Sequence, residues 1–390
     1  MKRALVMTLA MCLLLTLLMS LIGCGGEQTP TEPTETTGPA ELSFTAEQAD
    51  LDFLNKAYEG RQVYHGEMHD HANTGGTSDG KQTLNVWTTM MDELDMDFAT
   101  IVDHKQVLHM RLDLWDNTIF IGGTEAMTLI NGEKMHYNMI FDNPEALEEI
   151  VTEFSEFNYV DGHFGYPTLG MHKLTKLIQA VKEKGGMFVH VHPKSSGYIN
   201  SEDPLSYWFA DETGLEVFYG YRGYAAAQED TQKNYKLWTD LLAVGARVWA
   251  TAGSDKHNMP NTDALTTVYS EQQNAQTLLS HFRVGDFVAG PVGIRMAVGD
   301  ATMGGKTAFA GNRVVFSVGD FHSSAYDPSH TYRVDLLDDK GVVFSQTLTD
   351  PTQTAYFAFD AQNVAFYRVE VHDVTTGLLH AIGNPIWNER

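Results

Sequence analysis

The chain has 390 residues and a formal net charge of −25, which leaves room for two domains. Such an acidic balance argues against duplex DNA or anionic membrane surfaces as partners, because sequence-independent binding to either needs basic patches. Its two cysteines, Cys12 and Cys24, both lie near the start, so the rest of the chain has neither a disulfide nor a thiolate ligand and must fold on its hydrophobic core.

Lys2 and Arg3 precede an apolar stretch from Ala4 to Ile22, which ends in Leu21-Ile22-Gly23-Cys24. A small residue before Cys at the end of such a segment resembles a bacterial lipoprotein cleavage site. On that reading residues 1–23 are a signal peptide, Cys24 is lipidated, and the protein is held on the cell membrane outside the cytoplasm. The rival reading is an uncleaved membrane helix, since Ala4 to Ile22 is near spanning length. Residues 24–44 are rich in Thr, Pro, Glu and Gly and bury too little apolar surface to order themselves, so they read as a flexible tether.

From 45 to 290, apolar runs alternate with amphipathic stretches. Strands are expected at Val63 to Met68, Asp97 to Val102, Thr118 to Gly123, His136 to Phe141, Gly186 to Val191, Gly214 to Tyr219 and Ala246 to Thr251. Leu84, Trp87, Met91 and Leu94 keep helical spacing, as do Leu174, Leu177, Ile178 and Val181 before Gly185, and Leu237, Trp238, Leu241 and Leu242 before Gly245. Alternation of this kind implies an α/β domain with a mostly parallel sheet. After the Gly290-Pro291 junction the period becomes two: Tyr332, Val334 and Leu336 alternate with Arg333 and Asp335, and Tyr367, Val369 and Val371 with Arg368 and Glu370. Residues 291–390 therefore read as an antiparallel, sandwich-like β domain.

Five separated motifs carry the chemistry: His69-Asp70-His71, Val102-Asp103-His104, Glu125 with His136, Val191-His192-Pro193, and Gly253-Ser254-Asp255-Lys256-His257. Residues i and i+2 of a strand share a side, so an H-x-H or D-x-H pair aims two ligands at one point. Imidazole and carboxylate without thiolate suit Zn, Mn or Fe. The expectation is a metal-dependent hydrolase. The acidic balance does not exclude phosphate chemistry, because bound divalent cations reverse the local field.

In this order the motifs resemble the polymerase-and-histidinol-phosphatase (PHP) superfamily of metal-dependent phosphoesterases. Gly66 to His71 and Ser78-Asp79-Gly80 match its opening strand and the Ser-Asp-Gly that follows. Asp103-His104, Glu125 with His136-Tyr137-Asn138, His192-Pro193 and Gly253 to His257 match the rest, over about residues 62 to 260. Ala381 to Trp387 and the Gly290-Pro291 junction look like the carbaryl-hydrolase-type (CehA/McbA-like) branch.

The resemblance implies a distorted (β/α)7 barrel with ligands at the C-terminal ends of its strands, and two or three divalent ions. It gives His69, His71, Glu125 and Asp255 to the first ion, and His104, His257 and Asp79 to the second. His136 and His192 go to the third, bridged by Glu125. It puts the chemistry on Glu125, Asp255 and His257, with hydroxide generated at the ions as the nucleophile. Asp79 follows a longer Gly-containing loop, Ala72 to Thr77, than the family has.

Lys194 and Arg222 are candidates for holding an anionic substrate. Asp103 is expected to make structural hydrogen bonds, and His190 to pack in the core or behind a ligand. His65, His109, His163 and His172 are left as surface or outer groups. Aromatics such as Phe157, Tyr159, Tyr198, Trp208, Tyr219 and Tyr221 crowd the loops expected near the site. Three functions compete: cleavage of a small-molecule phosphomonoester or phosphodiester, cleavage of a carboxylic or carbamate ester or amide, and non-catalytic binding by a surface lipoprotein.

Overall fold

The computed structural model describes residues 43–130, 133–155, 170–195, 210–220 and 225–389. Arg222, Cys24, the signal-like segment and most of the loop aromatics lie outside them. The strands of the first part are β1 (Gln62–Asp70), β2 (Phe98–Ile101), β3 (Phe120–Ile130), β4 (Glu133–Phe141), β5 (Met187–Val191), β6 (Thr213–Tyr219), β7 (Val248–Gly253), β8 (Thr266–Ser270) and β9 (Val288–Ala289). The helices are α1 (Gln48–Ala57), α2 (Leu84–Glu93), α3 (Pro144–Glu153), α4 (Met171–Glu183), α5 (Ala225–Ala243) and α6 (Ala275–Phe282). The expected helical stripes are buried on α4 (the Leu174-to-Val181 set) and α5 (Leu237, Trp238, Leu241 and Leu242), and on α2 at Leu84, Trp87 and Met91, while Leu94 falls just past the end of α2 and is half-buried. Gly185 and Gly245, both at positive φ, follow the ends of α4 and α5.

The remaining strands are β10 (Gly293–Val298), β11 (Ala301–Thr302), β12 (Lys306–Thr307), β13 (Arg313–Gly319), β14 (Tyr332–Asp338), β15 (Gly341–Thr347), β16 (Ala355–Asp360), β17 (Phe366–Asp373) and β18 (Leu378–Asn388). A fourteen-stranded sheet runs β15-β14-β17-β18-β9-β8-β1-β2-β3-β4-β5-β6-β7, with β12 beside β18; a four-stranded sheet runs β11-β10-β13-β16. The fold is thus mixed α/β, with parallel and antiparallel pairs in one sheet.

The expected mostly parallel sheet needs correction at its centre. β1-β2-β3 and β5-β6-β7 are parallel, but β4 is antiparallel to both its neighbours. The cause is local: β3 passes directly into β4, with Ile130 paired to Glu133, so no crossover helix intervenes. Beyond β7 the chain returns to β1, where the Asp255 N–H donates to His69 O at 2.9 Å and the His71 N–H to Lys256 O at 2.8 Å.

Alternation buries Ile294, Met296, Phe316 and Phe357 of the smaller sheet in one cluster with Val334, Leu336, Val369 and Val371 of the larger. Each such side chain contributes about 1.5–3 kcal/mol when fully buried. Phe44 joins this cluster, its ring 4.4 Å from that of Phe344. These strands are stitched to the first part. β18 pairs with β9, and Gly290 passes so close that a Cβ there would lie 2.6 Å from His380 O. Buried Asn384 accepts from the Ala250 N–H of β7 at 2.8 Å and donates to Phe287 O at 3.2 Å.

Candidate metal centre

β1 carries His69, and His71 follows directly after it; both are fully buried and both approach Glu125 and Asp255. His104 follows β2, Glu125 and His136 lie on β3 and β4, His192 follows β5, and Asp255 and His257 follow β7. Asp255 and His192 have φ of 51° and 31°, uncommon for non-glycine residues and the kind of local strain that accompanies functional sites. Gly253 makes the meeting possible, since a Cβ there would lie 2.5 Å from both Glu216 Oε1 and His69 Cβ.

Glu125 is the hub. Its Oε2 lies 3.7 Å from His69 Nε2, 3.3 Å from His71 Nε2 and 3.2 Å from His104 Nδ1, while Oε1 lies 2.7 Å from His136 Nδ1 and 3.4 Å from His192 Nε2. Asp255 Oδ1 sits 3.5 Å from His69 Nε2 and 3.1 Å from His71 Nε2. Among the described residues, side-chain ligand atoms within 4.8 Å of one another form four groups: His71, Asp79, His104, His257; His69, His71, Glu125, Asp255; His69, His192, Glu216; and Glu125, His136, His192. Three of these match the sets implied by the sequence resemblance, with His71 added to the second.

The donor set fits divalent cations. His69 Nε2, both ring nitrogens of His71, His104 Nδ1 and Asp255 Oδ1 are buried without a hydrogen-bond partner among the described residues. Each such atom costs about 1–3 kcal/mol, and their convergence is the arrangement a cation would satisfy. Tautomers are set from behind. His257 Nδ1 lies 2.9 Å from the carbonyl of Asp255, which can only accept, so Nδ1 carries a proton and Nε2, which faces Asp79, is the nitrogen that would bind a metal. His69 Nδ1 meets Glu216 Oε1 at 3.0 Å, which turns Nε2 toward Glu125 and Asp255; Glu216 Oε2 also accepts the His192 N–H at 2.8 Å. The sequence reading missed Glu216. Its signal was a lone carboxylate inside the apolar run Gly214 to Tyr219.

Burial works against charge throughout the cluster, yet mutual attraction outweighs it at most members. Glu125 is held well below the usual carboxylate range by His136 and His104, Asp255 is depressed by His69 and His71, and Asp79 by His104 and His257. His69 is raised by Glu216 and Asp255, and His71 reaches about 10 through Asp255 and Glu125. His257 is raised by Asp79. At His136 burial wins and its pKa falls. These carboxylates demand positive charge, and a cation would displace the imidazole protons that otherwise supply it.

The long loop brings Asp79 in. Thr74 bonds Asp103, Thr77 bonds His104 O, Ser78 bonds Ala72 O, and Asp79 Oδ2 ends 3.2 Å from His257 Nε2 and 3.6 Å from His104 Nε2. Asp103 also accepts the Ala72 N–H at 2.9 Å, in the structural part expected of it. His190 is buried edge-on against Phe188, with its pKa lowered to about 3 by burial.

His109, read as a surface or outer group, is completely buried beside Trp115, and burial lowers its pKa to about 3. His65 bonds Thr267, and His172 is exposed; His163 lies outside the described residues. The Lys194 N–H donates to Asn234 at 3.0 Å on α5. Tyr219 approaches the cluster, its hydroxyl 3.4 Å from Asp255 Oδ2 and its ring 4.8 Å from that of His192.

The chain matches no protein-family model and no curated protein. Among solved structures, a two-domain protein containing a predicted PHP-like metal-dependent phosphoesterase from Bacteroides vulgatus aligns with 83% of this chain and 96% of its own, at 14% identity and a TM-score of 0.39. A lesion-specific endonuclease from Pyrococcus furiosus aligns with 58% of this chain and 57% of its own, at 13% identity and a TM-score of 0.41. An amidohydrolase from Chromobacterium violaceum aligns with 51% of this chain and 89% of its own, at 16% identity and a TM-score of 0.34. Likenesses of this size assign no activity, so the reading rests on the site.

Proposed function

We propose that this protein is a metal-dependent phosphoesterase of the PHP type, holding two or three divalent ions (Zn, Mn or Fe) and hydrolysing a small-molecule phosphomonoester or phosphodiester. The observation that carries the reading is Glu125, a fully buried carboxylate facing His69, His71, His104, His136 and His192 from both of its oxygens. Return of the chain from β7 to β1 supports reading the first seven strands as a distorted barrel, with its ligands gathered at one end. His69, His71, Glu125 and Asp255 would hold one ion, His104, His257 and Asp79 a second, and His136, His192 and Glu125 a third.

Bound there, divalent ions lower the pKa of coordinated water and offset the charge that develops on a phosphoryl group. Glu125, shared between the first and third ligand sets, would offset part of the positive charge of both. Glu216 holds the Nδ1 proton of His69 and so fixes the direction of Nε2. His257, partly exposed and with its Nδ1 proton on the Asp255 carbonyl, sits at the rim where a substrate would enter. Hydrolysis in oxygen-18 water should place the label in the released phosphate within a single turnover, and chelation should abolish turnover. Cleavage of carbamate or carboxylic esters, with phosphoesters untouched under every metal tried, would transfer the assignment to those substrates.

We also infer that Cys24 carries a lipid anchor and that the enzyme works outside the cytoplasm, a reading supported by Leu21-Ile22-Gly23-Cys24. Mass spectrometry should find diacylglycerol on Cys24; an intact residue 1–23 segment in both wild type and Cys24→Ala would refute it.

A further inference from the structure

Beside the metal centre lies a cavity of about 230 Å³ between the end of β6, α5 and the β17–β18 hairpin. Phe218, Tyr219, Ala227, Tyr235, Leu378 and Leu379 give it a largely apolar wall. Gln228, Thr231 and Gln232 add neutral polar groups along α5, and two further polar wall residues are turned to other duties. The Tyr235 hydroxyl bonds Glu370 at 2.7 Å, and His372 Nε2 meets Glu370 at 3.2 Å, which leaves their rings to the cavity. No lysine or arginine is found among the described lining residues, whereas Asp263 is. An anionic group would find no cation there.

Tyr219 belongs to both places. Its ring lines the cavity and packs 4.8 Å from the His192 ring, while its hydroxyl stands 3.4 Å from Asp255 Oδ2. A molecule lying across Tyr219 would therefore present one end to the metal centre and the other to a largely apolar chamber that has a carboxylate, Asp263, and no lysine or arginine among its described lining residues. The size selects the occupant. An apolar cavity of about 150 Å³ accepts benzene, and drug-sized ligands occupy about 300–1,000 Å³. About 230 Å³ fits one substituted ring or an alkyl group of similar bulk.

We propose that this cavity is the leaving-group subsite of the enzyme, so that the substrate is a phosphoester of a neutral, ring-sized alcohol or phenol. The proposal rests on the phosphoesterase reading. In the reaction a water oxygen bonds to phosphorus and gives up one proton to solvent, the bond from phosphorus to the alkyl or aryl oxygen breaks, and the departing oxygen takes up a proton from solvent.

Ala227→Phe fills the chamber from α5. In metal-loaded protein it should lower the ratio of kcat/KM for 4-nitrophenyl phosphate to that for methyl phosphate about tenfold, the equivalent of about 1.4 kcal/mol. Leu379→Ala enlarges the chamber and should shift preference toward 1-naphthyl phosphate. An unchanged ratio in both variants overturns the proposal. A second arm needs no turnover: 4-nitrophenol titrated by difference absorbance should bind wild type and lose about tenfold in affinity with Ala227→Phe. Absence of binding to wild type also overturns it. If 4-nitrophenol binds in an Ala227-dependent way but wild type hydrolyses neither ester, the phosphoesterase reading has failed and the ring-sized site stands.

Discussion

Two regions of this molecule bury carboxylates equally well and treat them differently. In the sandwich-like part, Glu370 takes a 2.9 Å bond from Arg368, a 2.7 Å bond from Tyr235 and a 3.2 Å contact from His372, while Asp335 is gripped by Arg333. At the metal centre, every ion-pair partner described for Glu125 is an imidazole. A guanidinium closes a charge permanently. Imidazoles donate lone pairs and exchange their protons for a metal, so they leave the charge open for use. Burial alone therefore does not mark a site; burial beside groups that can trade a proton for an ion does.

The sharpest test removes the open charge. Glu125→Gln should reduce turnover by about 10³-fold or more and lower metal content by elemental analysis, without unfolding the protein by circular dichroism. If metal content and turnover both survive, Glu125 is a buried structural acid like Glu370. The closed charge predicts the opposite outcome. Arg368→Met strands Glu370 and should cost about 3–5 kcal/mol in denaturant unfolding, with the metal content of the folded fraction unchanged. Arg368→Met with Glu370→Leu should recover much of that loss.

Intermediate effects belong to the groups behind the ligands. Glu216→Gln should weaken metal affinity about 10–100-fold and leave the apo-protein folded. A pure stability loss with normal affinity would make Glu216 ordinary packing. The smallest effect is at the periphery, where Asp50 of α1 meets Arg313 at 2.7 Å. Burial pushes the Asp50 carboxyl up but Arg313 pulls it below its ordinary 3.8. A depressed carboxyl stabilises above the unfolded value and loses that contribution as pH falls through the folded one. Arg313 is 40% exposed, so Asp50→Asn should cost about 1 kcal/mol or less at pH 7, with the difference shrinking in unfolding measured as pH falls below the ordinary 3.8.

The parts of the site legible in the sequence were those written locally. His69 and His71 share a strand side by period two, and Asp255 and His257 are two residues apart on the run past β7. The helices were legible for the same reason, as stripes of Leu, Trp and Val at helical spacing. Asp79 was named only through the resemblance, and its reach into the site was not legible, because its loop is fastened by Asp103 and His104, which follow a different strand. Glu216 was hidden inside an apolar run whose partners, His69 and the His192 backbone, are distant in sequence. The direction of β4 was invisible too. Its alternation is the same in either orientation, and only the absence of a crossover between Ile130 and Glu133 decides it.

Asn384 fixes the order in which the molecule can be finished. Its side chain holds the backbone of β7 at Ala250 and the β9 approach at Phe287, three residues upstream of Gly253 and five upstream of Asp255. β7 ends the hydrogen-bonded order of the larger sheet, so this distant side chain braces the strand that launches two of the ligands. Contacts between such remote stretches of chain form late and slowly. β1 to β6 can therefore take shape without Asn384, but the strand that launches Asp255 and His257 is braced only once a side chain 134 residues beyond Ala250 has docked.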